Sequence, residues 1–315
     1  MRAADARPRP GPGISRRGLL RGAGAVGLAV AAAGTAAATT GCSRVDLNDE
    51  PDGGTLLHRL RERGSVRIGF ANEAPYSFLD KDAELTGEAA EVADAVFDRL
   101  GVRRIEPVPS DFGALIPGLR AGLFDIVGAG MSITPTRCAQ VLFTDPEFDA
   151  AEAFLVPKGN PRRLATMADV AANSNVRLGV LLGAVEADVA ERSGVPGARI
   201  TRFADQPSAF DGMIGGRVDA VALTSISLNW GLRQRAHADL EVTAPYRPVV
   251  DGRPITAAAG AFAVTPDQTD FVAAFNRELH TLRDSGELLR MQRPFGFTEA
   301  DVPAPELTAQ RVCAT

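Results

Sequence analysis

Two short segments of this 315-residue chain carry side chains suited to holding a small charged molecule. The first contains Glu73 and Tyr76, and the second contains Ser132 and Arg137. Each follows an apolar, strand-like run, and open α/β sheets bind ligands at the carboxyl ends of their strands. A carboxylate, an aromatic ring and a guanidinium suit a small zwitterion, and no strong nucleophile–base pair accompanies them. The pattern therefore favours a binding protein over a catalyst.

Alternating strand and helix patterns are predicted to position these segments. The apolar strand-like runs are Val66–Phe70, Phe124–Val127, Arg177–Leu182 and Val218–Thr224. The segment Glu88–Leu100 has apolar residues three and four positions apart and is followed by Gly101, which predicts a helix. Thr134 is typical of an N-cap and precedes a proline at the first helical position. That arrangement would place Arg137 in the first turn of a short helix.

The two halves of the chain repeat one pattern, which predicts two similar α/β lobes. Residues 118–127 and 212–221 both combine a helix end, a glycine, an aspartate and a buried strand. The runs 153–157 and 260–265 flank the second half and are candidates for crossing between the lobes, and a helix over residues 266–285 should return to the first lobe. Two crossings make a hinge for closure around a ligand. The predicted boundaries are 57–156 plus 258–315 for lobe 1 and 157–257 for lobe 2.

The amino-terminal residues 1–41 are typical of an export signal. Arg16 and Arg17 form a twin arginine ahead of an Ala/Gly-rich apolar stretch. The stretch ends in a sequence that resembles a lipoprotein processing box, with Cys42 as the acylated first mature residue. The alternative is a membrane anchor that is never cleaved. We expect an extracytoplasmic protein, lipid-anchored to the outer face of the cell membrane, with residues 42–56 as a flexible spacer.

The acidic charge of the mature body excludes some classes of partner. Removing residues 1–41 takes away six arginines and one aspartate, so the formal net charge falls from −5 to −10. Nucleic-acid binding depends on clustered Lys and Arg, so it is not expected. No later segment approaches the roughly 20 apolar residues of a membrane-spanning helix. We expect no metal, because the chain has no metal-ligand spacing. We also expect a monomer without a cofactor.

Two cysteines, Cys138 and Cys313, remain once Cys42 is lipidated. In an oxidising compartment two such thiols favour one disulfide. It would join the carboxyl-terminal tail to the helix that carries Arg137. The alternative is a pair of buried free thiols.

Several segments of the chain resemble a known family. They are residues 68–76, 111–119, 133–138 and 205–209, within a resemblance that extends over about residues 60–297. They resemble the extracytoplasmic solute-binding proteins of ABC importers, family 3, which mostly handle polar amino acids, and within it the ectoine- and hydroxyectoine-binding members. The resemblance implies a type II periplasmic-binding-protein fold with two crossover strands, closure around a small zwitterionic solute, and delivery to a membrane permease.

The resemblance also implies roles for individual residues. Arg137 would clamp the ligand carboxylate, since its planar fork matches two oxygens. Glu73 would accept hydrogen bonds from the ring N–H groups, and Tyr76 and Phe112 would lie against the ligand ring. Without the family, Arg137 is better explained as a helix-surface charge, and Glu73 is equally well explained as a solvated carboxylate. Core packing is the alternative for both aromatic residues, although the loop position of Phe112 between Asp111 and Gly113 disfavours it there.

Other positions depart from the family or complete the site. Ser132 stands where the resemblance leads us to expect a third aromatic residue, and its hydroxyl would favour hydroxyectoine. Gly183, Ala184 and Val185 open a helix whose free N–H groups would attract a carboxylate. Thr224 is not followed by the acidic residue that commonly holds an amino acid's ammonium in this class, which argues against a standard α-amino acid. Asp205 and Gln206 either reach the cleft or form a simple turn.

Three alternative functions remain open from the sequence. Within the binding class, the ligand could be a polar amino acid or a betaine-like solute. A dehydratase-like or lytic enzyme on the same fold would use Glu73 as a general acid, but His58, His237 and His280 lie outside the candidate site segments. A sensor domain would normally require a transmembrane connection to a signalling module. We expect a binding protein that is not an enzyme.

Overall fold

The computed structural model describes residues 54–235, 237–250, 253–254 and 259–314, with only the backbone at 253–254. The predictions for the export signal, for acylated Cys42 and for residues 42–53 of the spacer lie outside the described residues. In the described ranges, no helix combines the length and apolarity needed to cross a membrane.

Helices and strands alternate along most of the described chain, as an α/β fold requires. In chain order the elements are α1 (Leu56–Arg63), β1 (Ser65–Phe70), β2 (Phe78–Leu79), β3 (Leu85–Thr86), α2 (Glu88–Arg99), β4 (Arg104–Pro109), α3 (Leu115–Arg120), β5 (Ile126–Ser132), α4 (Pro135–Cys138), β6 (Leu142–Phe143), β7 (Phe148–Asp149), β8 (Glu152–Pro157), α5 (Met167–Ala172), β9 (Leu178–Leu181), α6 (Val185–Arg192), β10 (Ile200–Phe203), α7 (Gln206–Ile214), β11 (Ala220–Thr224), α8 (Ser225–Arg235), β12 (Leu240–Val242), β13 (Val249–Val250), β14 (Arg253–Pro254), β15 (Ala259–Val264), α9 (Thr269–Asp284), α10 (Glu287–Gln292) and α11 (Ala309–Cys313).

Two main sheets share one design. The first has the order β4-β1-β5-β15-β6, and the second has the order β10-β9-β11-β8-β12. In each, three parallel strands are followed by an antiparallel strand, which is β15 in the first sheet and β8 in the second. We call the part of the chain around the first sheet lobe 1 and the part around the second sheet lobe 2. The α/β prediction of a type II periplasmic-binding-protein fold agrees with this architecture.

The predicted strand over residues 124–127 is shifted in the structure. Strand β5 begins at Ile126 because the preceding Asp125 turns its carboxylate to the backbone N–H of Arg67, 2.8 Å away. It then continues to Ser132 through a glycine-containing stretch that sequence propensity disfavours as strand. Those glycines are required by packing: a Cβ at Gly130 would lie 2.5 Å from the ring of Tyr76.

The predicted helices form with small changes at their ends. In α4 the Thr134 hydroxyl accepts a hydrogen bond from the Arg137 N–H at 3.3 Å, which is the predicted cap. Helix α9 covers residues 269–284 and buries one apolar face in the core of lobe 1. Helix α1 was not predicted, although buried Leu56 and Leu60 have the i, i+4 spacing that could have revealed it.

The two runs predicted to cross between the lobes lie inside the sheets. Strand β8 belongs wholly to lobe 2 and β15 wholly to lobe 1. Glu152, at the start of β8, pairs with Tyr246 through backbone hydrogen bonds of 2.9 and 2.8 Å. The hinge and the predicted lobe boundaries stay predictions.

The carboxyl-terminal tail is attached to lobe 1 by a disulfide. Cys138 of α4 and Cys313 of α11 are bonded, with their Cα atoms 5.8 Å apart. The bond closes a loop with a sequence separation of 175 residues. It ties down the short helix that presents Arg137.

Candidate functional site

The candidate site lies where the carboxyl ends of the parallel strands of the two sheets face each other. A direct contact joins the lobes there, since the Tyr76 hydroxyl lies 2.6 Å from the Thr224 hydroxyl. A second contact occurs at the rim, where a Cβ at Gly183 would be 2.7 Å from the Cα of Gly113. The structure is therefore a closed arrangement of the two lobes.

Arg137 is a buried cation in this cleft rather than a charge on a helix surface. It is 9% exposed. Its guanidinium donates to the carbonyl of Ser132 at 2.6 Å and to that of Gly183, in the other lobe, at 3.0 Å. Its Cζ lies 5.4 Å from the centroid of the Phe112 ring, in cation–π range. Burial lowers the pKa of Arg137 to about 10, against the opposing effect of the Glu186 charge, so the side chain stays charged at neutral pH.

Glu73 is also buried, in contrast to a solvated carboxylate beside a turn. It follows β1, is 8% exposed, and accepts a hydrogen bond from the Ser227 hydroxyl of lobe 2 at 2.9 Å. Burial raises the pKa of Glu73 to about 8, and the charge of Glu186 adds to the shift while the Ser227 bond opposes it. Burial thus favours the protonated form of this carboxyl.

Tyr76 combines core packing with a polar contact across the cleft. Its ring stacks on Phe148, with centroids 5.1 Å apart, and meets Phe297 edge-on at 6.1 Å. Burial and the Glu73 charge raise the pKa of its hydroxyl, which faces Thr224. The packing interpretation thus describes the ring, and contact of that ring with a ligand stays a prediction.

Phe112 and Ser132 lie beside Arg137. Phe112 begins a short 3-10 helix and is buried in the apolar cluster of lobe 1, with its ring against the guanidinium. Ser132 is the buried last residue of β5, and its carbonyl receives an Arg137 bond. Both residues lie beside Arg137, and their contacts with a ligand stay predictions.

The segment from Gly183 to Val185 begins helix α6 as predicted, with Ala184 as the N-cap residue. Gly183 has φ of +80°, a left-handed conformation that favours glycine. Its carbonyl is occupied by Arg137, so this turn positions the cation as well as opening the helix. An anion at the helix N–H groups stays a prediction.

The open choice for Asp205 and Gln206 resolves differently for the two residues. Asp205 caps α7, accepting a hydrogen bond from the Ser208 N–H at 2.7 Å. The Gln206 amide crosses to lobe 1 and donates to the carbonyl of Ala74 at 2.7 Å, and it also donates to the Ser227 hydroxyl at 2.7 Å. Gln206 and Ser227 together hold the Glu73 segment from the side of lobe 2.

Sequence reasoning missed two buried carboxyls and one hydroxyl. Glu152 is the first residue of β8, Glu186 is the second residue of α6, and Tyr246 stacks on Phe154 with centroids 5.3 Å apart. Burial raises the pKa of Glu152, and the charges of Glu186 and Glu73 raise it further. A lone glutamate directly before the apolar run 153–157 was the available signal. Among the described residues, no cluster of metal-ligating side chains is present.

The chain is similar to binding proteins along most of its length. Residues 66–298 match the bacterial extracellular solute-binding proteins, family 3. The chain is 32% identical over 286 residues to the probable amino-acid ABC transporter periplasmic-binding protein y4tE of Sinorhizobium fredii (strain NBRC 101917 / NGR234), covering 90% of this chain and 94% of that protein. It is 28% identical over 234 residues to the lysine/arginine/ornithine-binding periplasmic protein of Escherichia coli (strain K12), covering 73% and 87%.

A solved structure has the same fold. The crystal structure of EhuB in complex with hydroxyectoine superposes with a TM-score of 0.73 at 34% identity, covering 82% of this chain and 97% of that one. The chain therefore belongs to the bacterial extracellular solute-binding proteins of family 3, as the substrate-binding component of an amino-acid-type ABC importer.

Proposed function

We propose that this protein captures a small zwitterionic solute of the ectoine or hydroxyectoine type between its lobes and delivers it to a membrane permease. The observation that supports this most strongly is Arg137, a buried guanidinium that donates across the lobes to Gly183, and the same lobe also carries the buried carboxyl of Glu73. The likeness to the hydroxyectoine complex of EhuB adds support at the level of a 34% identical neighbour.

Arg137 has hydrogen-bonding capacity left for a ligand carboxylate. A guanidinium has five N–H donors, and two bonds, to Ser132 and Gly183, are present. Within the described part of the chain it forms no ion pair with a carboxylate, so its charge is available to an anion. A bidentate bond to the solute's carboxylate would satisfy the remaining donors. Phe112 would then contact the solute beside that bond.

Glu73 would balance the cationic end of the solute. Burial raises the pKa of this carboxyl to about 8, which favours its neutral form. A cationic N–H group placed beside it would stabilise the carboxylate and lower that pKa. Ser132 would hydrogen-bond the hydroxyl of hydroxyectoine, and equal affinities of wild type and Ser132→Ala for both solutes would remove that role.

The permease would recognise the form of the protein in which the lobes are closed. The contacts Tyr76–Thr224 and Gln206–Ala74 span the lobes in this structure, and lobe opening would break them. A buried zwitterion between them would strengthen the closed state because desolvated charge pairs interact more strongly. Twin-arginine export, the lipid anchor on Cys42, the monomeric state and the hinge are parts of the same proposal.

A second candidate within the binding class is a polar or basic amino acid. Buried Glu152 and Glu186 favour it, because two further carboxyls at the site exceed what a neutral zwitterion needs. An enzyme with Glu73 as general acid is the remaining alternative, and product formation from dehydratase or cell-wall substrates would reveal it.

Calorimetric titration of the unlipidated protein tests the proposal. The protein is denatured with its disulfide intact, stripped of solute and refolded, and then titrated with ectoine, hydroxyectoine, glycine betaine, proline, glutamine and arginine. Tight one-to-one binding of the ectoines supports the ectoine assignment. Binding heat with an amino acid alone would keep the role as an importer component and would reject ectoine as the ligand. The absence of binding heat with all six solutes would contradict the proposed class of ligand.

A further inference from the structure

Helix α8 of lobe 2 has apolar side chains on two opposite faces. Leu228 and Leu232 pack into an apolar cluster within lobe 2. Ile226 and Trp230 are four residues apart, so they lie together on another face of the helix. That second face packs against side chains of lobe 1. In this closed arrangement, α8 therefore contributes to the apolar packing of both lobes.

Trp230 contacts two aromatic rings of lobe 1. The centroid of its ring lies 5.9 Å from that of Phe78, in strand β2, and 6.1 Å from that of Phe295, which follows helix α10. At these separations aromatic pairs attract each other beyond the effect of the area they bury. The Arg233 guanidinium lies over the indole, with its Cζ 5.6 Å from the ring centroid. Trp230 is thus the centre of an aromatic contact between the lobes.

Ile226 extends this contact toward the interior. It is 6% exposed and packs with Tyr76, Phe148 and Phe297, all of which belong to lobe 1. Separation of the lobes would expose Ile226 and would remove Trp230 from its two partner rings. Exposing apolar surface to water costs free energy, so these contacts oppose opening of the lobes. That cost does not depend on which solute occupies the cleft.

The position of α8 makes Trp230 more sensitive to lobe movement than Ile226. The N–H of Ser225, the first residue of α8, donates to the carbonyl of Ala151 at 2.8 Å. Ala151 lies between β7 of the first sheet and β8 of the second, so the start of α8 is tied to a connection between the lobes. Trp230 lies about 7.5 Å further along the helix axis than Ser225. A rotation of the lobes about this connection would therefore displace Trp230 further than Ile226.

We propose that Ile226 and Trp230 form an apolar latch that stabilises the closed arrangement of the lobes to the same extent for every solute. Such a latch increases the population of the closed form, and it therefore raises the affinity for all solutes by one common factor. Arg137 and Glu73, in contrast, would distinguish one solute from another. The inference rests on the proposed function, since it requires that the lobes open and close around a ligand.

Calorimetry and small-angle X-ray scattering of the unlipidated Trp230→Ala protein test the latch, with ectoine, hydroxyectoine, L-glutamine and L-arginine as probes. If the empty wild type is mainly open, the affinity for every bound probe should fall by the same factor, about tenfold, because two aromatic contacts are lost. If it is mainly closed, the radius of gyration of the empty variant should increase. Leu232→Ala is the matched control, because it removes an apolar side chain from the face of α8 that packs within lobe 2. It should lower the midpoint of thermal unfolding and leave affinity and radius of gyration unchanged.

The outcomes separate the latch from the proposed function. If Trp230→Ala changes neither the affinity nor the radius of gyration, or weakens the binding of one probe among several, the latch is overturned and the proposed function stands. If no probe binds the wild type, the proposed function fails, and the radius of gyration of the empty protein decides: an increase in the variant supports the latch, and an unchanged value overturns it. If Trp230→Ala does not fold, Phe78→Ala removes one of the two ring contacts from lobe 1 and is judged by the same measurements.

Discussion

The two lobes are alike at the amino ends of their strands and different at the carboxyl ends. In lobe 1, the carboxylate of Asp125 accepts from the backbone N–H of Arg67 at 2.8 Å, and Asp125 donates its own N–H to the Arg67 carbonyl. In lobe 2, Asp219 and Arg177 repeat both bonds, with a carboxylate distance of 2.9 Å. This shared Asp–Arg clamp fixes the entry of the third parallel strand in each sheet. The amino ends therefore serve the fold.

At the carboxyl ends the lobes contribute complementary chemistry. Lobe 1 supplies the guanidinium of Arg137, the ring of Phe112 and the carboxyl of Glu73. Lobe 2 supplies two further carboxyls, the Ser227 and Thr224 hydroxyls and the Gln206 amide. The two sheets thus share the contacts at the amino ends of their strands and differ in the side chains at the carboxyl ends. A complete site requires both lobes.

The disulfide of lobe 1 tests whether the lobes differ in how they are stabilised. Replacing Cys138 and Cys313 together by alanine should lower the free energy of unfolding by about 3–5 kcal/mol, because the bond closes a very long loop. Denaturant unfolding measures the total loss in free energy of unfolding, and amide hydrogen exchange shows which lobe is destabilised. If exchange rates in lobe 2 increased as much as those in lobe 1, the disulfide would not stabilise lobe 1 specifically.

Arg137 tests the division of chemistry between the carboxyl ends. Arg137→Ala should weaken ligand binding by about 3 kcal/mol, or about a hundredfold, because the ligand's carboxylate would be buried without its partner. Arg137→Lys should recover part of the loss, since it keeps the charge and loses the planar fork. Arg120→Ala, which removes an exposed arginine from α3 of the same lobe, is the control. A small effect of Arg137→Ala would remove the main support for the proposed function.

The paired clamps test the likeness of the amino ends. Asp125→Asn and Asp219→Asn should each destabilise folding by about 1.5–3 kcal/mol through lost charge-assisted bonds, with unchanged ligand affinity. Burial alone would raise the pKa of Asp125, but bonds from Arg67 and Arg63 outweigh it and lower the pKa. The stabilisation of the fold by ionised Asp125 is therefore present above the pKa of about 4 that this group has in the unfolded chain. It is lost as pH falls through the lower pKa of the folded protein. Acid unfolding that starts at the same pH in wild type and Asp125→Asn would argue against the clamp.

Substitution of Ser227 should have the smallest effect on ligand affinity, and it tests the bond that this residue makes to Glu73 across the lobes. Ser227→Ala removes the hydroxyl that donates to Glu73 and accepts from Gln206, and it should weaken ligand binding by about 1 kcal/mol. The pKa of Glu73 should also rise above about 8, because the Ser227 bond lowers it. The pH dependence of ligand affinity reports this shift, and Ser225→Ala on the same helix is the control. An unchanged pH profile would place the Glu73–Ser227 bond outside the ligand-binding state.

Much of the fold could be predicted from local pattern, and less of the site could. The cap at Thr134 and the helix starting at Glu88 depend on residues close together in sequence, so their signals are local. The bounds of strand β5 were predicted wrongly because Gly130 lowers its strand propensity. The ring of Tyr76, which is distant in sequence, leaves no room for a larger residue at this position. Glu152 was overlooked for a similar reason, since a single glutamate before an apolar run carries no periodic signal.

The sequence by itself determined the alternating α/β elements, the repeated Asp-containing motif, the resemblance to a family and the residue types Glu73, Tyr76 and Arg137 at strand ends. Only the tertiary structure decided that Arg137 and Glu73 are buried, that Gln206 reaches the other lobe while Asp205 caps a helix, and that Glu152 and Glu186 join them. Periodicity and capping act within a few residues of the chain. Burial and charge balance in a cleft depend on side chains brought together from both sheets, and they therefore appear only once the lobes are folded against each other.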